Sequence, residues 1–166
     1  MKQGATLDSS FWINAHRSGL LPYVFEKFEL HFAPAVAAEL VEGFPSGREF
    51  WHSVRQGRLS ETAPRIERLR EFGSGERAAI NVALEHPDWV LLIDDRRPFN
   101  EAVRRGIKVM CTPVLIVELE AEGTIEASRG IELLWGLSAL QTVSPDLLAP
   151  ALAQLQTTMR AKERGE

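Results

Sequence analysis

Trp89-Val90-Leu91-Leu92-Ile93-Asp94-Asp95 is the stretch whose reading decides the fold. A continuous run of β-branched and aliphatic residues reads as a strand buried on both faces, which is the pattern of a parallel sheet. It ends abruptly in two adjacent carboxylates. In open α/β sheets, ligands and catalytic groups gather just past the carboxyl ends of the strands. Two anions placed there repel each other unless a cation, a proton or a strong donor offsets them. The stretch therefore predicts a parallel α/β architecture with an acidic site at one edge of the sheet.

Working outward, Ala5 to Leu7 reads as a first strand ending in Asp8, with Ser9 and Ser10 capping a helix through Phe11, Trp12 and Ile13. A short helix opens at Pro22, and Phe28 to Phe32 alternates as a strand. Pro34 suits the first turn of a helix over Ala35 to Glu42 that Gly43 stops. Phe44 to Gly47 reads as a loop, followed by helices near Arg48 to Arg55 and over the arginine-rich Thr62 to Glu71. Ser74 is expected to cap a helix over Gly75 to Glu85, and Pro98 to Arg105 is helical. Ile107 to Met110 is a strand, and Thr112 caps a helix through Glu120. The tail adds a helix near Ile131 to Leu140, and Ser144-Pro145 opens a last one carrying Leu148, Leu152, Leu155 and Met159. The charged end from Lys162 to Glu166 is expected to fray.

Strands alternating with helices give a mainly parallel central sheet with helices on both faces. No internal repeat, linker or low-complexity segment interrupts residues 1–166, which read as a single domain with extra C-terminal helices. Its core spans about 5–125 and the helical extension about 128–162. That extension covers the core, or offers an apolar face to a second copy or an inhibitory partner.

A chain with 45% hydrophobic and 25% charged residues is a soluble globular protein, not a disordered one. The first residues lack the apolar region of a signal peptide, and no apolar run approaches membrane-spanning length. A lone cysteine, Cys111, excludes an internal disulfide and a cysteine-rich zinc site, so a reducing cytoplasm is the expected location. The four histidines, His16, His31, His52 and His86, show no metal-ligand spacing and read as surface or cap residues. A net charge of −4 argues against a broad electrostatic footprint for nucleic acid. Basic residues are nonetheless clustered, as at Arg55 to Arg70 and at Arg96, Arg97, Arg104, Arg105 and Lys108. Such runs are solvated helix faces or a phosphate-contacting rim around an acidic centre.

If the strands ending at Leu7 and Ile93 are neighbours, Asp8 and Asp94 emerge at the same edge, at a switch point that opens a crevice. Asp8 also reads as a helix cap. Glu39 lies beside the stripe formed by Val36 and Leu40, either facing inward with a partner or snorkelling at the edge. Glu76 sits in a first helical turn, where the dipole favours it, yet on the same face as Ala79, Ile80 and Ala83. Jointly these carboxylates from separate elements call for a hard divalent cation, Mg²⁺ or Mn²⁺. Such a metal can activate water, orient a phosphodiester and stabilise a leaving oxygen. No P-loop, dinucleotide fingerprint or GxSxG elbow is present.

The order Leu7-Asp8-Ser9-Ser10, Pro34-x-Val36-x-x-Glu39, Gly73-x-Gly75-Glu76-x-x-Ala79-Ile80 and Leu92-Ile93-Asp94-Asp95-Arg96-Arg97 resembles the PIN domain. It is closest to the branch whose third acid lies in a Gly-x-Gly-Glu turn, and Ala102 to Val109 followed by Thr112-Pro113 continues the pattern. The resemblance implies a Rossmann-like α/β/α sandwich and an endoribonuclease that hydrolyses RNA with Mg²⁺ or Mn²⁺. It also implies likeness to the VapC toxins of toxin–antitoxin pairs, which are often homodimeric and held inactive by an antitoxin protein. Carried over by position, Asp8, Glu39, Glu76 and Asp94 are the catalytic, metal-holding acids, with Asp94 preferred as the inner ligand and Asp95 accessory. Ser10 is accessory through a hydroxyl bond to a ligating carboxylate or water, or is a helix cap, and Arg96 and Arg97 touch phosphates. The insertion from Pro45 to Glu71 and the C-terminal helices exceed a minimal toxin.

Two other functions compete. One is a non-catalytic PIN-like scaffold that binds RNA or a protein. The other is a phosphoacceptor receiver domain, which usually places its acid pair on the first strand and a lysine at the end of the last. Here the pair comes late and Lys108 begins its strand.

Overall fold

Five strands, β1 (Gln3–Leu7), β2 (Phe28–Phe32), β3 (Leu59–Glu61), β4 (Val90–Leu92) and β5 (Lys108–Met110), pair in parallel in the order β3-β2-β1-β4-β5. The computed structural model describes residues 1–165. Helices α1 (Ser9–Arg17), α2 (Leu21–Lys27), α3 (Pro34–Glu39), α4 (Pro45–Arg55), α5 (Ser74–Glu85), α6 (Arg96–Arg104) and α7 (Thr112–Ala121) connect and flank the strands. Helices α8 (Ala127–Leu140) and α9 (Pro145–Glu163) follow. The result is a three-layer α/β/α sandwich with extra C-terminal helices, as the alternation of strands and helices predicts.

The core strands are apolar because both faces are covered. Ala5, Leu7, Leu91, Leu92 and Ile93 are all completely buried. Beside them the Trp12 ring meets Phe25 and Phe50 edge-on at 5.9 and 5.4 Å, and Phe50 meets Phe32 at 5.0 Å. Such pairs add about 0.5–1.5 kcal/mol each beyond the area they bury. This cluster fixes α1, α2 and α4 against β2 and so sets the direction in which α1 leaves Asp8.

Strand order and register place the acidic edge. Leu7 lies opposite Phe32 on one side and Leu92 on the other, and Leu92 lies opposite Met110. The Asp8 amide donates to the Leu92 carbonyl at 2.9 Å, so Asp8 and the Asp94-Asp95 pair leave the sheet at one edge. Connections run outward in opposite directions from β1 and β4, which makes that boundary the switch point of the sheet. Receiver-type sheets instead have the order β2-β1-β3-β4-β5, so the phosphoacceptor reading does not survive the topology.

The expected helix over Thr62 to Glu71 is absent. Leu59 to Glu61 is instead the edge strand β3, and the segment after it is irregular. Its backbone is satisfied by side chains of α5. Glu85 accepts from the Arg65 and Ile66 amides at 2.6 and 2.7 Å, while Asn81 bonds both the amide and the carbonyl of Arg68 at 3.3 and 3.1 Å. Leu69 then adopts φ 67° to bury its side chain. Tertiary partners replaced the helical ladder that amphipathic spacing predicts.

Helix α3 also stops at Glu39 rather than Glu42, because Leu40 leaves helical geometry and its carbonyl accepts from the Trp51 indole at 2.7 Å. The expected loop at Phe44 to Gly47 is largely the first turn of α4. The caps shift by one residue: Asp8 caps α1, Gly73 caps α5 and Cys111 precedes α7. Ser144 does cap α9, as read.

Leu134, Leu137, Leu148 and Leu155 of the C-terminal helices are buried and join the same core cluster as the sheet. Leu152 is only partly buried. Helix α9 stays helical through Glu163, and Glu166 of the segment expected to fray lies outside the described residues. Among the described residues no helix is long and apolar enough to cross a membrane.

Candidate functional site

Asp8 is the hub of the sheet edge. It is 2% exposed, and its Oδ2 accepts from the Ser10 amide at 3.1 Å and the Ser10 hydroxyl at 2.7 Å. Its Oδ1 is buried without a hydrogen-bond partner. The residue is therefore both the helix cap and an unsatisfied acceptor, so the two readings of it are not exclusive. Burial raises its pKa, and the nearby Glu39 carboxylate adds to the rise.

Glu39 is exposed at the end of α3 and crosses to the first turn of α5. Its Oε1 accepts from the Gly75 amide at 3.1 Å and its Oε2 from the Ser9 hydroxyl at 2.5 Å. A Cβ on residue 75 would lie 2.4 Å from Glu39 Oε1, so only glycine lets the carboxylate reach this helix end. The positive pole of α5 helps to hold both Glu39 and Glu76 there.

Glu76, one residue further along α5, lies beside Gly73 and close enough to the Asp95 and Asp8 carboxyls to interact with both. Its pKa rises to about 7, first through burial, then through Asp95 and then through Asp8. A neighbouring like charge disfavours the ionised form of a carboxyl, which is the sense of the Asp95 and Asp8 contributions to Glu76.

The two members of the terminal pair occupy different environments. Asp94 is 1% exposed. It accepts from the Thr112 amide at 2.6 Å, from the Asn14 side-chain amide at 2.7 Å and from the Thr112 hydroxyl. Burial raises its pKa to about 6 against the pull of those donors, with the Asp8 charge adding to the rise. Asp95 is exposed, caps α6 by accepting from the Arg97 amide at 3.3 Å, and meets Glu76. Ser10 ties the two strand ends together, because its hydroxyl also accepts from the Asp94 amide at 3.1 Å.

Asn14 and Thr112 are the buried partners of Asp94 that sequence reasoning passed over. Asn14 had a signal: it shares a helix face with Phe11 and Ala15, where a polar residue needs a partner. Thr112 was masked by its position before Pro113, which reads as a cap. The set continues into the C-terminal turn, where the Thr142 hydroxyl donates to Asn14 Oδ1 at 2.6 Å. Of the two arginines, Arg96 is paired with Asp146 and the Arg97 guanidinium lies 5.2 Å from the Phe72 ring centroid. Cys111 is buried with its thiol pushed up to about 12, which leaves it inert as a nucleophile.

No carboxylate at this edge has a salt bridge to a lysine, arginine or histidine among the described residues. Nor do three metal-ligating side chains form a ready-made cage among them. What is present is a set of hard oxygen donors around an unsatisfied Asp8 oxygen, of the type that suits Mg²⁺ or Mn²⁺ bound largely through water.

The raised acids fix a pH dependence. A carboxyl whose folded pKa exceeds its unfolded value binds more protons in the native state between the two values, so stability falls as pH rises through that window. For Glu76 the window runs from 4.5 to about 7, and for Asp94 from 3.8 to about 6. Thermal unfolding in chelator should show the wild type losing stability from pH 5 to about 7.5, and a shallower decline in Glu76→Gln. Identical slopes in the two proteins would contradict the placement of Glu76 against Asp95.

Comparison with known proteins gives one family match. A family profile described as PIN domain matches residues 5–156. No curated protein matches the chain. Among solved structures, the PIN domain endonuclease Utp24 is similar at 14% identity and TM-score 0.49, covering 66% of this chain and 84% of that one. A domain of a functionally unknown protein from Methanocaldococcus jannaschii DSM 2661 is similar at 21% identity and TM-score 0.45, covering 66% and 90%. A PilT N-terminus domain protein from Sulfolobus solfataricus P2 is similar at 14% identity and TM-score 0.39, covering 65% and 86%.

Proposed function

The chain belongs to the PIN domain family, and we propose that it is a Mg²⁺- or Mn²⁺-dependent endoribonuclease whose centre is Asp8, Glu39, Glu76 and Asp95. The observation that carries this reading is the buried, unpartnered Asp8 Oδ1, with the Glu39 and Glu76 carboxylates close enough to interact with Asp8 and no lysine, arginine or histidine salt-bridged to any of them among the described residues. A protein that needed these residues only for packing would gain by making any of them neutral. When bound, the metal supplies an activated water and charge neutralisation at the phosphodiester.

The residues divide the remaining work. Asp8, Glu76 and Asp95 offer the acceptors closest to the switch point, and Glu39 closes the set from α3. Asp94 is the positioning residue in this reading, a reversal of the preference that its place in the sequence suggested. Its oxygens are occupied by Asn14 and Thr112, and its backbone amide by Ser10. That arrangement fixes where the next residue, Asp95, leaves the strand. Arg97 and Arg96 flank Asp95 on the first turn of α6, where they would meet phosphates, with Arg96 first released from its exposed pairing to Asp146. For an antitoxin or a second copy, the exposed Trp135 on α8 supplies an apolar surface beside Pro145, Ala149 and Leu152 of α9.

The test is incubation of single-stranded RNA with the protein in Mg²⁺, in Mn²⁺ and in chelator. Cleavage in either cation and none in chelator is the expected result. Undiminished cleavage in chelator would remove the metal from the account. RNA that is bound but left intact under every condition would favour the non-catalytic scaffold.

A further inference from the structure

A cleft of about 520 Å³ opens between the end of α1 and the connection from α3 to α4, with Glu39 of the acid set in its lining. Its lining includes Glu39, Ile13, His16, Arg17, Val41 and Phe44. Glu39 thus borders both the cleft and the acid set. The volume falls in the range of about 300–1,000 Å³ typical of sites for small ligands.

Two features of the cleft leave it open to a ligand. Phe44 is 66% exposed and Val41 49% exposed, on the short connection between α3 and α4. Arg17 and His16, at the end of α1, have no side-chain hydrogen bond or ion pair among the described residues. A cleft whose lining combines an exposed aromatic ring, two basic side chains without partners among the described residues and a single carboxylate is not a core-like pocket.

The wall is also fixed in advance. The Trp51 indole donates to the Leu40 carbonyl at 2.7 Å and the Trp12 indole to the Ser46 carbonyl at 2.8 Å. Residue 47 must be glycine, since a Cβ there would lie 1.8 Å from the Val41 carbonyl oxygen. The connection between α3 and α4 is therefore pinned at both ends while its apolar side chains stay in water. This rigidity lowers the ordering cost of binding a flat ligand.

We infer that this cleft is a nucleobase subsite: it takes one unpaired base of a single-stranded RNA next to the phosphodiester at the acidic edge. The inference rests on the ribonuclease reading for the identity of the strand, and deepens it by assigning where an adjacent nucleotide is held. The Phe44 ring stacks on the base, Val41 and Ile13 cover its edge, and Arg17 and His16 reach the flanking phosphate. Base-on-aromatic stacking tolerates any base, and it requires that the base be out of a duplex. The site therefore selects for single-stranded RNA ahead of sequence.

The experiment uses the full chain in chelator, so that binding is read without turnover. A fluorescent single-stranded oligoribonucleotide is compared with a series carrying one abasic position at each place, against wild type, Phe44→Ala, Phe44→Tyr and Arg17→Ala. Phe44→Ala should weaken binding about tenfold or more, and Phe44→Tyr should bind within about twofold of wild type. Arg17→Ala should lower the slope of log affinity against log salt by about 0.7. In wild type one abasic position should cost affinity, and in Phe44→Ala that same position should no longer matter. Because Phe44 is exposed, thermal unfolding should not change in its variants.

Equal binding by Phe44→Ala and wild type, or a preference for duplex RNA, would overturn the subsite. Cleavage in Mn²⁺ is scored separately. If wild type cuts RNA while Phe44→Ala binds normally, the subsite falls and the ribonuclease reading stands. Coupling between Phe44 and an abasic position without cleavage in any cation keeps the subsite and removes the nuclease.

Discussion

Asp8→Asn eliminates RNA cleavage, by roughly a hundredfold or more, while leaving the metal-free chain folded and at least as stable as wild type. Both halves follow from the same geometry. Asparagine keeps an oxygen that can accept from the Ser10 amide and hydroxyl, and it is as good a helix cap as aspartate. The charge is what disappears. Asp8 raises the pKa of both Glu76 and Asp94 and is itself raised by Glu39, so the neutral side chain relieves repulsion on three sides. A site that costs stability when empty is expected where carboxylates are collected for a cation. Cleavage assays in Mn²⁺ and thermal unfolding in chelator check the two halves independently. Full activity in a folded Asp8→Asn protein, or a large loss of stability in it, would each contradict the account.

The second large effect separates the adjacent aspartates. Asp94→Ala removes the acceptor for the Thr112 amide, the Thr112 hydroxyl and the Asn14 amide, all buried. Leaving buried donors unpaired costs about 1–3 kcal/mol each, part of which relief of the Asp8–Asp94 repulsion returns. A net loss of about 3 kcal/mol lowers the melting temperature by roughly 6–12 °C in a chain of this size. Asp95→Asn is different in kind. Its side chain is exposed, asparagine preserves the cap on α6, and stability should stay within about 0.5 kcal/mol of wild type. Its cleavage should be lost nonetheless. Asp94→Ala that melts like wild type, together with an active Asp95→Asn, would reverse the assignment of the pair.

The proposed exchange of roles between Asp94 and Asp95 rests on contacts that the sequence does not reveal. The run from Trp89 to Ile93 is legible because a strand buried on both faces has few alternatives. The alignment of Asp8 with it follows from right-handed crossovers. Glu39 and Glu76 were visible as acids placed on or beside apolar stripes. The different surroundings of Asp94 and Asp95 were not, since they depend on the bonds that Asn14 and Thr112 make across the sheet edge. Proximity to the strand end favours burial, and in the proposed reading Asp94, with donors on both oxygens, is less available than Asp8, whose Oδ1 has none among the described residues. Gly75 carries the same lesson: the Gly-x-Gly-Glu spacing was recognisable, but not that a Cβ on residue 75 would push the Glu39 carboxylate away from this helix end.

The segment from Thr62 to Glu71 failed for a related reason. Its spacing suits a helix, and nothing local reveals that Glu85 and Asn81 will take over its backbone hydrogen bonds. The short strand before it, Leu59–Glu61, has too few residues to show a period of its own. Where tertiary partners supply the hydrogen bonds, propensity and periodicity lose their hold.

The central claim is that these carboxylates share a divalent cation. Its most direct test is electron paramagnetic resonance of Mn²⁺ titrated into wild type and Asp8→Asn, without RNA. The account predicts a bound Mn²⁺ signal that saturates in wild type and is absent or much weakened in Asp8→Asn. Equal Mn²⁺ binding by the two proteins would contradict it.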